Sequence, residues 1–326
     1  MKPFEYAGAR SLKEAGALLR EKPGKARIIA GGTDLIPQMR ERIAEPDRLV
    51  SLQRIPGLDR IEIDAKGLRA GALVPLADIA AHPGILDAWR GLAEGAGSAA
   101  TPQIRNAGTL GGNICQRPRC WYFRSEDFRC LKKGGETCFA QEGENKYHAI
   151  FGGEDCRIVH PSDTAPALMA FEASAVVHAA AGERTVPLEK FFTLPSVDVS
   201  RENVLRDDEI LSGVRVPRPP SGTRSAYLKI REKSSFDFAL VSCAAALTFD
   251  GKACTRARLV LGGVAPVPWR CMGAEAILTG QPLDAPLINR AAEAALTGAA
   301  PLSRNRYKIA LAKGVIRRLL MNLSRA

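Results

Sequence analysis

Thr109-Leu110-Gly111-Gly112-Asn113 opens, and His160-Pro161-Ser162-Asp163 closes, a stretch holding five of the chain's eight cysteines. Cys115, Cys120, Cys130, Cys138 and Cys156 stand among Arg117, Arg119, Arg124, Arg129, Lys132 and Lys133. Soft thiolate ligands are thus crowded with cations suited to offset their charge. The stretch reads as a redox metal site inserted into a second binding site. The spacing Cys115-x4-Cys120-x9-Cys130-x7-Cys138-x17-Cys156 contains no C-x-x-C pair, which disfavours zinc ribbons and the compact ferredoxin run. It remains compatible with four thiolates collected from a long loop. Cys115 follows Asn113 so closely that it is assigned to the packing of the glycine loop, leaving Cys120, Cys130, Cys138 and Cys156 as ligands. The competing reading is a set of buried free thiols. The segment is polar and broken by Gly134-Gly135 and Gly152-Gly153, so it offers them little core.

Upstream, Arg27-Ile28-Ile29-Ala30 reads as a short strand running into Gly31-Gly32-Thr33-Asp34, and Leu35 to Ile43 as a helix. A strand, a double-glycine turn and a helix start place several unpaired backbone N–H groups in one concavity, suited to phosphate. The alternative is a tight turn. The G-x-G-x-x-G spacing is missing, so the loop is not a Rossmann fingerprint. With Thr109 to Asn113, the chain carries two glycine loops, which either hold a pyrophosphate in a crevice between domains or are unrelated turns.

A chain of 326 residues with 46% hydrophobic and 25% charged residues is expected to be a multidomain soluble globule. The net charge of +11 is spread along the chain with few aromatics between the basic residues, which disfavours nucleic acid. Met1-Lys2-Pro3-Phe4-Glu5-Tyr6 does not resemble a signal peptide, and no apolar run reaches the roughly 18 residues of a membrane span. The expected location is the cytoplasm, where cysteines serve metal or redox chemistry better than disulfides.

Three units are expected: 1–55, 56–218 with the cysteine insertion at about 115–158, and 219–326. Ser11 caps a helix with Glu14 three residues on, Ile61–Ile63 and Leu68–Ala70 form a strand pair, and Ala173–His178 is a strand. Asp207-Asp208-Glu209 reads as a turn, and Cys243, Cys254 and Cys271 as core. Strands or buried segments follow at 226–231, 239–249 and 256–262, and helices at 270–279, 287–296 and 307–323. The last helix is expected to expose Lys308, Lys313, Arg317 and Arg318. His160 reads as a hydrogen-bonded loop histidine more readily than as a ligand or proton donor. Asp163 is placed either to accept a hydrogen bond from a ligand hydroxyl or to cap a helix.

Four motifs together carry a family resemblance: Ala30-Gly31-Gly32-Thr33-Asp34, Thr109-Leu110-Gly111-Gly112-Asn113, Ser162-Asp163-Thr164-Ala165-Pro166-Ala167-Leu168 and Gly262-Gly263-Val264-Ala265. In this order they resemble the FAD-binding medium subunit of the molybdenum hydroxylases, which include xanthine dehydrogenase, aerobic carbon monoxide dehydrogenase and aldehyde oxidoreductases. Gln116-Arg117-Pro118-Arg119-Cys120 and Cys130-Leu131-Lys132-Lys133 resemble the branch with an extra 4Fe-4S loop, found in the 4-hydroxybenzoyl-CoA reductase beta subunit and the periplasmic aldehyde oxidoreductase flavin subunit.

The resemblance implies an α+β fold of the vanillyl-alcohol-oxidase type, with two FAD-binding subdomains and a C-terminal mixed α/β domain. It implies that Ala30, Gly31, Gly32, Thr33, Asp34 and Leu35, with Thr109, Gly111, Gly112 and Asn113, hold the FAD pyrophosphate. Asp163 would bond the flavin or its ribityl chain, and Lys229 would lie near the flavin carbonyl edge. The implied role is an electron-transfer subunit carrying FAD and a 4Fe-4S cluster. Its implied partners are a large molybdenum-cofactor subunit, a small 2Fe-2S subunit and an external carrier such as a ferredoxin. No catalytic acid or base is assigned. The alternatives are a free-standing FAD oxidoreductase and a zinc-stabilised scaffold.

Overall fold

The computed structural model describes residues 1–325. Ser11 starts the first helix, Leu12–Arg20, by accepting the Glu14 amide at 3.1 Å, while the Glu14 carboxylate reaches back to the Arg10 amide at 2.7 Å. This reciprocal capping satisfies donors that a helix start otherwise leaves open. The helix buries Ala15 and Leu19 against a three-stranded sheet of β1 (Glu5–Gly8), β2 (Ala26–Ile29) and β3 (Arg48–Ser51), with β3 in the middle. Both pairings are parallel, so each crossover passes over the sheet before the chain returns.

The second sheet contains β4 (Ile61–Ile63), β5 (Gly67–Gly71), β6 (Ser174–Ala179), β7 (Gly182–Pro187) and β8 (Ile210–Pro217). Its order is β4-β5-β8-β6-β7, antiparallel throughout. Between β5 and β6 the chain makes the helices that cover this sheet, Arg90–Gly97 and Thr164–Ala170 among them, and also the cysteine insertion. Trp89, Leu92, Leu168 and Phe191 are fully buried in that core.

The third sheet is antiparallel, with β9 (Thr223–Ile230), β10 (Val241–Asp250), β11 (Ala253–Gly262) and β12 (Trp269–Arg270) in sequence order and β13 (Gln281–Pro282) paired to β11. Its core contains Cys243, Cys254 and Cys271, as expected, and the apolar face of the last helix, Tyr307–Arg325. The architecture is α+β. Among the described residues no helix is long and apolar enough to cross a membrane.

One polar position differs from the expectation, and a second adds to it. Lys308 is fully buried, because its ammonium donates to the carbonyls of Tyr147 (2.7 Å) and Gly263 (2.6 Å). Those two bonds make a lysine tolerable on the inner face of the helix. The 207–209 run does turn, but Glu209 points inward and takes a two-bond grip from Arg184 at 2.9 and 2.8 Å. For Lys308 the residue type suggested an exposed face; at both sites partners distant in sequence made burial possible.

Candidate functional site

A cleft of about 1030 Å³ runs between the first two sheets and their loops. Ala30, Gly31, Gly32, Thr33, Asp34 and Leu35 line it, and so do Thr109, Gly111 and Gly112. The two glycine loops touch each other. A Cβ on Gly31 would lie 1.8 Å from the Ala107 carbonyl oxygen, and one on Gly111 would lie 2.7 Å from the Ala72 Cβ. These glycines therefore serve close chain packing first. Gly32 adds a φ of +71°, the left-handed turn that redirects the strand into the helix Leu35–Arg40.

The loops differ in what they offer a ligand. Among the described residues, the amides of Gly31, Gly32, Thr33 and Asp34 have no protein acceptor. In the second loop Gly111 donates to Ala72 O at 2.9 Å, Gly112 to Thr109 Oγ1 at 3.2 Å and Asn113 to Thr109 O at 2.8 Å. The free donors are concentrated in the first loop, where a pyrophosphate fits the chemistry. Asn113 does not line the cleft. Its Oδ1 accepts from Ser162 Oγ (2.5 Å) and Thr164 Oγ1 (2.7 Å), tying the second loop to the helix Thr164–Ala170.

Asp163 and Lys229 also lie outside the cleft lining, paired at 2.7 Å, with the Tyr227 hydroxyl donating to the other Asp163 oxygen at 2.7 Å. Asp163 stands at the start of the helix but makes no capping bond. Burial pushes its carboxyl above the ordinary range, against the pull of Lys229 and Tyr227. His160 is buried, and its Nδ1 accepts the Ser162 amide at 3.4 Å, which is the loop-histidine arrangement.

Cys120, Cys130, Cys138 and Cys156 line a second, small void of about 10 Å³, enclosed by Tyr122, Phe123, Phe139 and His148. Cys115 lines the large cleft instead. Among the described residues no group of three or more His, Cys, Asp or Glu side chains is placed to hold a single metal ion. The four thiols line this one chamber together. Within it the hydrogen bond between Cys138 and Cys156 lowers the Cys138 thiol and raises that of Cys156, while burial pushes Cys120 up to about 11.

The insertion's cations mostly do not face the thiols. Asp34 Oδ1 pairs with Arg119 and Arg124, each at 2.7 Å, and Asp34 Oδ2 accepts the Arg117 amide at 2.8 Å. Glu202, itself buried, pairs with Arg117 and Lys132, both at 2.7 Å. Of the six, only Lys132 borders the chamber. Lys132 and Phe123 line both the chamber and the cleft, forming the wall between them. Neither this wall nor His148, whose Nε2 lies 3.2 Å from Cys120 Sγ, was legible from motif spacing.

Residues 2–219 match the family model described as the FAD binding domain in molybdopterin dehydrogenase, and 225–323 match the CO dehydrogenase flavoprotein C-terminal domain. The chain belongs to the FAD-binding medium-subunit family of the molybdenum hydroxylases.

This flavoprotein is 36% identical over 324 residues, 98% of either chain, to the aldehyde oxidoreductase FAD-binding subunit PaoB of Escherichia coli K12. It is 30% identical to the carbon monoxide dehydrogenase medium chain of Hydrogenophaga pseudoflava, with 97% of this chain and 96% of that one covered. A solved structure of carbon monoxide dehydrogenase from H. pseudoflava, lacking the Mo-pyranopterin moiety, superposes with a TM-score of 0.79 at 29% identity, covering 100% of this chain and 98% of that one. Quinoline 2-oxidoreductase from Pseudomonas putida 86 gives 0.77 at 26% identity, covering 100% and 99%. Relatives of this flavoprotein are oxidoreductase subunits, and the fold is that of the carbon monoxide dehydrogenase flavoprotein.

Proposed function

We propose that this flavoprotein is the FAD- and 4Fe-4S-containing electron-transfer subunit of a heteromeric molybdenum hydroxylase. The observation that carries this reading is the pair of adjoining sites, a cleft edged by free amide donors and a chamber edged by four thiols, separated by Phe123 and Lys132. Ala30 to Leu35 would hold the FAD pyrophosphate through backbone amides, with Thr109, Gly111 and Gly112 forming the adjoining wall. Asn113, Asp163 and Lys229 would act from behind that wall, as a buried polar network fixing its shape. Cys120, Cys130, Cys138 and Cys156 would hold the cluster, their four-thiol donor chemistry fitting an iron–sulfur group.

Bound FAD would exchange electrons singly or in pairs, and the cluster singly. The chain's own task is to hold both centres at fixed separation and to exclude water between them. Phe123, buried and flanked by the Arg117 and Arg124 guanidinium groups at 4.8 and 5.8 Å, supplies a dry partition. The buried Glu202 carboxylate, paired with both Lys132 and Arg117, offsets part of the positive charge at that partition. The partners in this reading are a molybdenum-cofactor subunit, a 2Fe-2S subunit and an external one-electron carrier such as a ferredoxin. The working division of the chain is 1–55, 56–218 with the insertion, and 219–326.

Anaerobic purification followed by iron, sulfide, zinc and flavin analysis tests this. About four iron and four sulfide with one FAD per chain is the expected result. Zinc without flavin would overturn it in favour of a scaffold.

A further inference from the structure

We propose that His148 is a positioning residue for the iron–sulfur cluster, donating its Nε2–H to Cys120 Sγ and so raising the cluster's reduction potential. The inference rests on the cluster reading above and adds to it a residue outside the cysteine set. His148 is buried, 3% exposed, with Nε2 3.2 Å from the Cys120 sulfur. Its ring packs against Trp121 and Tyr122, at 5.7 and 6.2 Å between centroids, so it is held from turning away.

The tautomer follows from the surroundings. Nδ1 is buried and makes no hydrogen bond of good geometry among the described residues, with only the Asn145 backbone near enough to act on the ring. A proton on Nδ1 would bury a poorly paired donor, whereas a proton on Nε2 lies 3.2 Å from a sulfur that becomes an acceptor once it is a thiolate ligand. Hydrogen bonds to ligand sulfurs are among the determinants of cluster potential. One electron added to the cluster increases the negative charge on its sulfurs, so an N–H aimed at one of them stabilises the reduced form more than the oxidised form.

The imidazole is set in place from far along the chain. Asn305 Nδ2 donates to the carbonyls of His148 (3.1 Å) and Ala149 (3.2 Å). Lys308 Nζ holds the Tyr147 carbonyl at 2.7 Å, and the Arg304 amide donates to Asn145 Oδ1 at 2.9 Å. Asn305 and Lys308 are both fully buried. Two buried polar side chains spent on the backbone beside one histidine give that histidine a fixed geometry, which a tuning bond requires.

The test is an anaerobic, EPR-monitored redox titration of the whole complex carrying His148→Phe or His148→Gln, after iron and FAD have been counted. His148→Phe keeps a ring between Trp121 and Tyr122 but removes the donor; His148→Gln retains an N–H. The expected result for His148→Phe is unchanged iron and FAD and an unmoved flavin midpoint. Its cluster midpoint should be lower by the equivalent of about a tenfold change in the one-electron equilibrium, about 59 mV. His148→Gln should recover part of that shift. A full cluster with an unmoved midpoint in His148→Phe would overturn the inference alone. Iron lost from both variants would overturn it too, since His148 would then hold the site together. An iron-free wild-type complex would overturn the cluster reading and this inference with it.

Discussion

Asp34 Oδ1 lies 2.7 Å from Arg124 Nη2, so the carboxylate at the end of the double-glycine loop holds the cysteine insertion by its first helical turn. Arg119 approaches the same oxygen at 2.7 Å. The residue expected to belong to a phosphate loop is therefore also the anchor of the neighbouring site. The two sites draw on different backbone segments but share this ionic junction.

Removing that anchor should loosen the insertion without touching a cysteine. Asp34→Ala leaves two part-buried guanidinium groups without their carboxylate, a loss of about 1–3 kcal/mol. Faster tryptic cleavage at Arg124 and Arg129 and reduced iron retention are expected. Unchanged cleavage would show that the junction does not secure the loop.

The glycines should rank by what a methyl group would strike. Gly31→Ala drives a Cβ into the Ala107 carbonyl, so the loops must part and flavin retention should be lost. Gly32→Ala meets the movable end of Ile36 and bears a left-handed φ penalty of about 1–3 kcal/mol, so it should retain part of its flavin. Flavin-to-protein ratios and melting curves of the two variants check the order.

The cysteines should separate into two classes. Serine at Cys120, Cys130, Cys138 or Cys156 should remove most of the iron, while Cys115→Ser should retain it, because Cys115 faces the cleft and not the chamber. Iron and sulfide analysis of the five variants decides this. Iron loss from Cys115→Ser with retention in any of the four would redraw the ligand set.

Glu209 gives a pH signature. Burial alone would raise its carboxyl, but Arg184 and Arg206 outweigh that and hold it down at about 2. A folded-state value below the unfolded value of about 4.3 means a contribution fully present above pH ~4.3 and lost as pH falls towards 2. Glu209→Gln should cost about 1–3 kcal/mol near neutrality, and the gap from wild type should narrow through that window. Denaturant melts at several pH values measure it. A constant gap would mean that the charge of Glu209 contributes nothing.

The sequence by itself determined a good deal. Local chemistry was enough for the Ser11 cap, the antiparallel pair β4–β5, the long strands β10 and β11 and the last helix, since each depends on residues close in the chain. The four motifs, read together in order, also identified the family. Tertiary structure decided the rest, because it depends on groups brought together from distant positions. Lys308 is buried only because two carbonyls, at 147 and 263, meet its ammonium. The arginines beside the cysteines are drawn to Asp34 and Glu202, carboxylates 85 to 90 residues away on either side, since a nearby fixed anion is a stronger partner than a neutral thiol. The wall of Phe123 and Lys132, and the placing of His148 against Cys120, arise where the insertion folds back on itself and docks on the C-terminal helix. A periodicity or a spacing reports which face a side chain is on; the group it will meet there is fixed only when the chain closes.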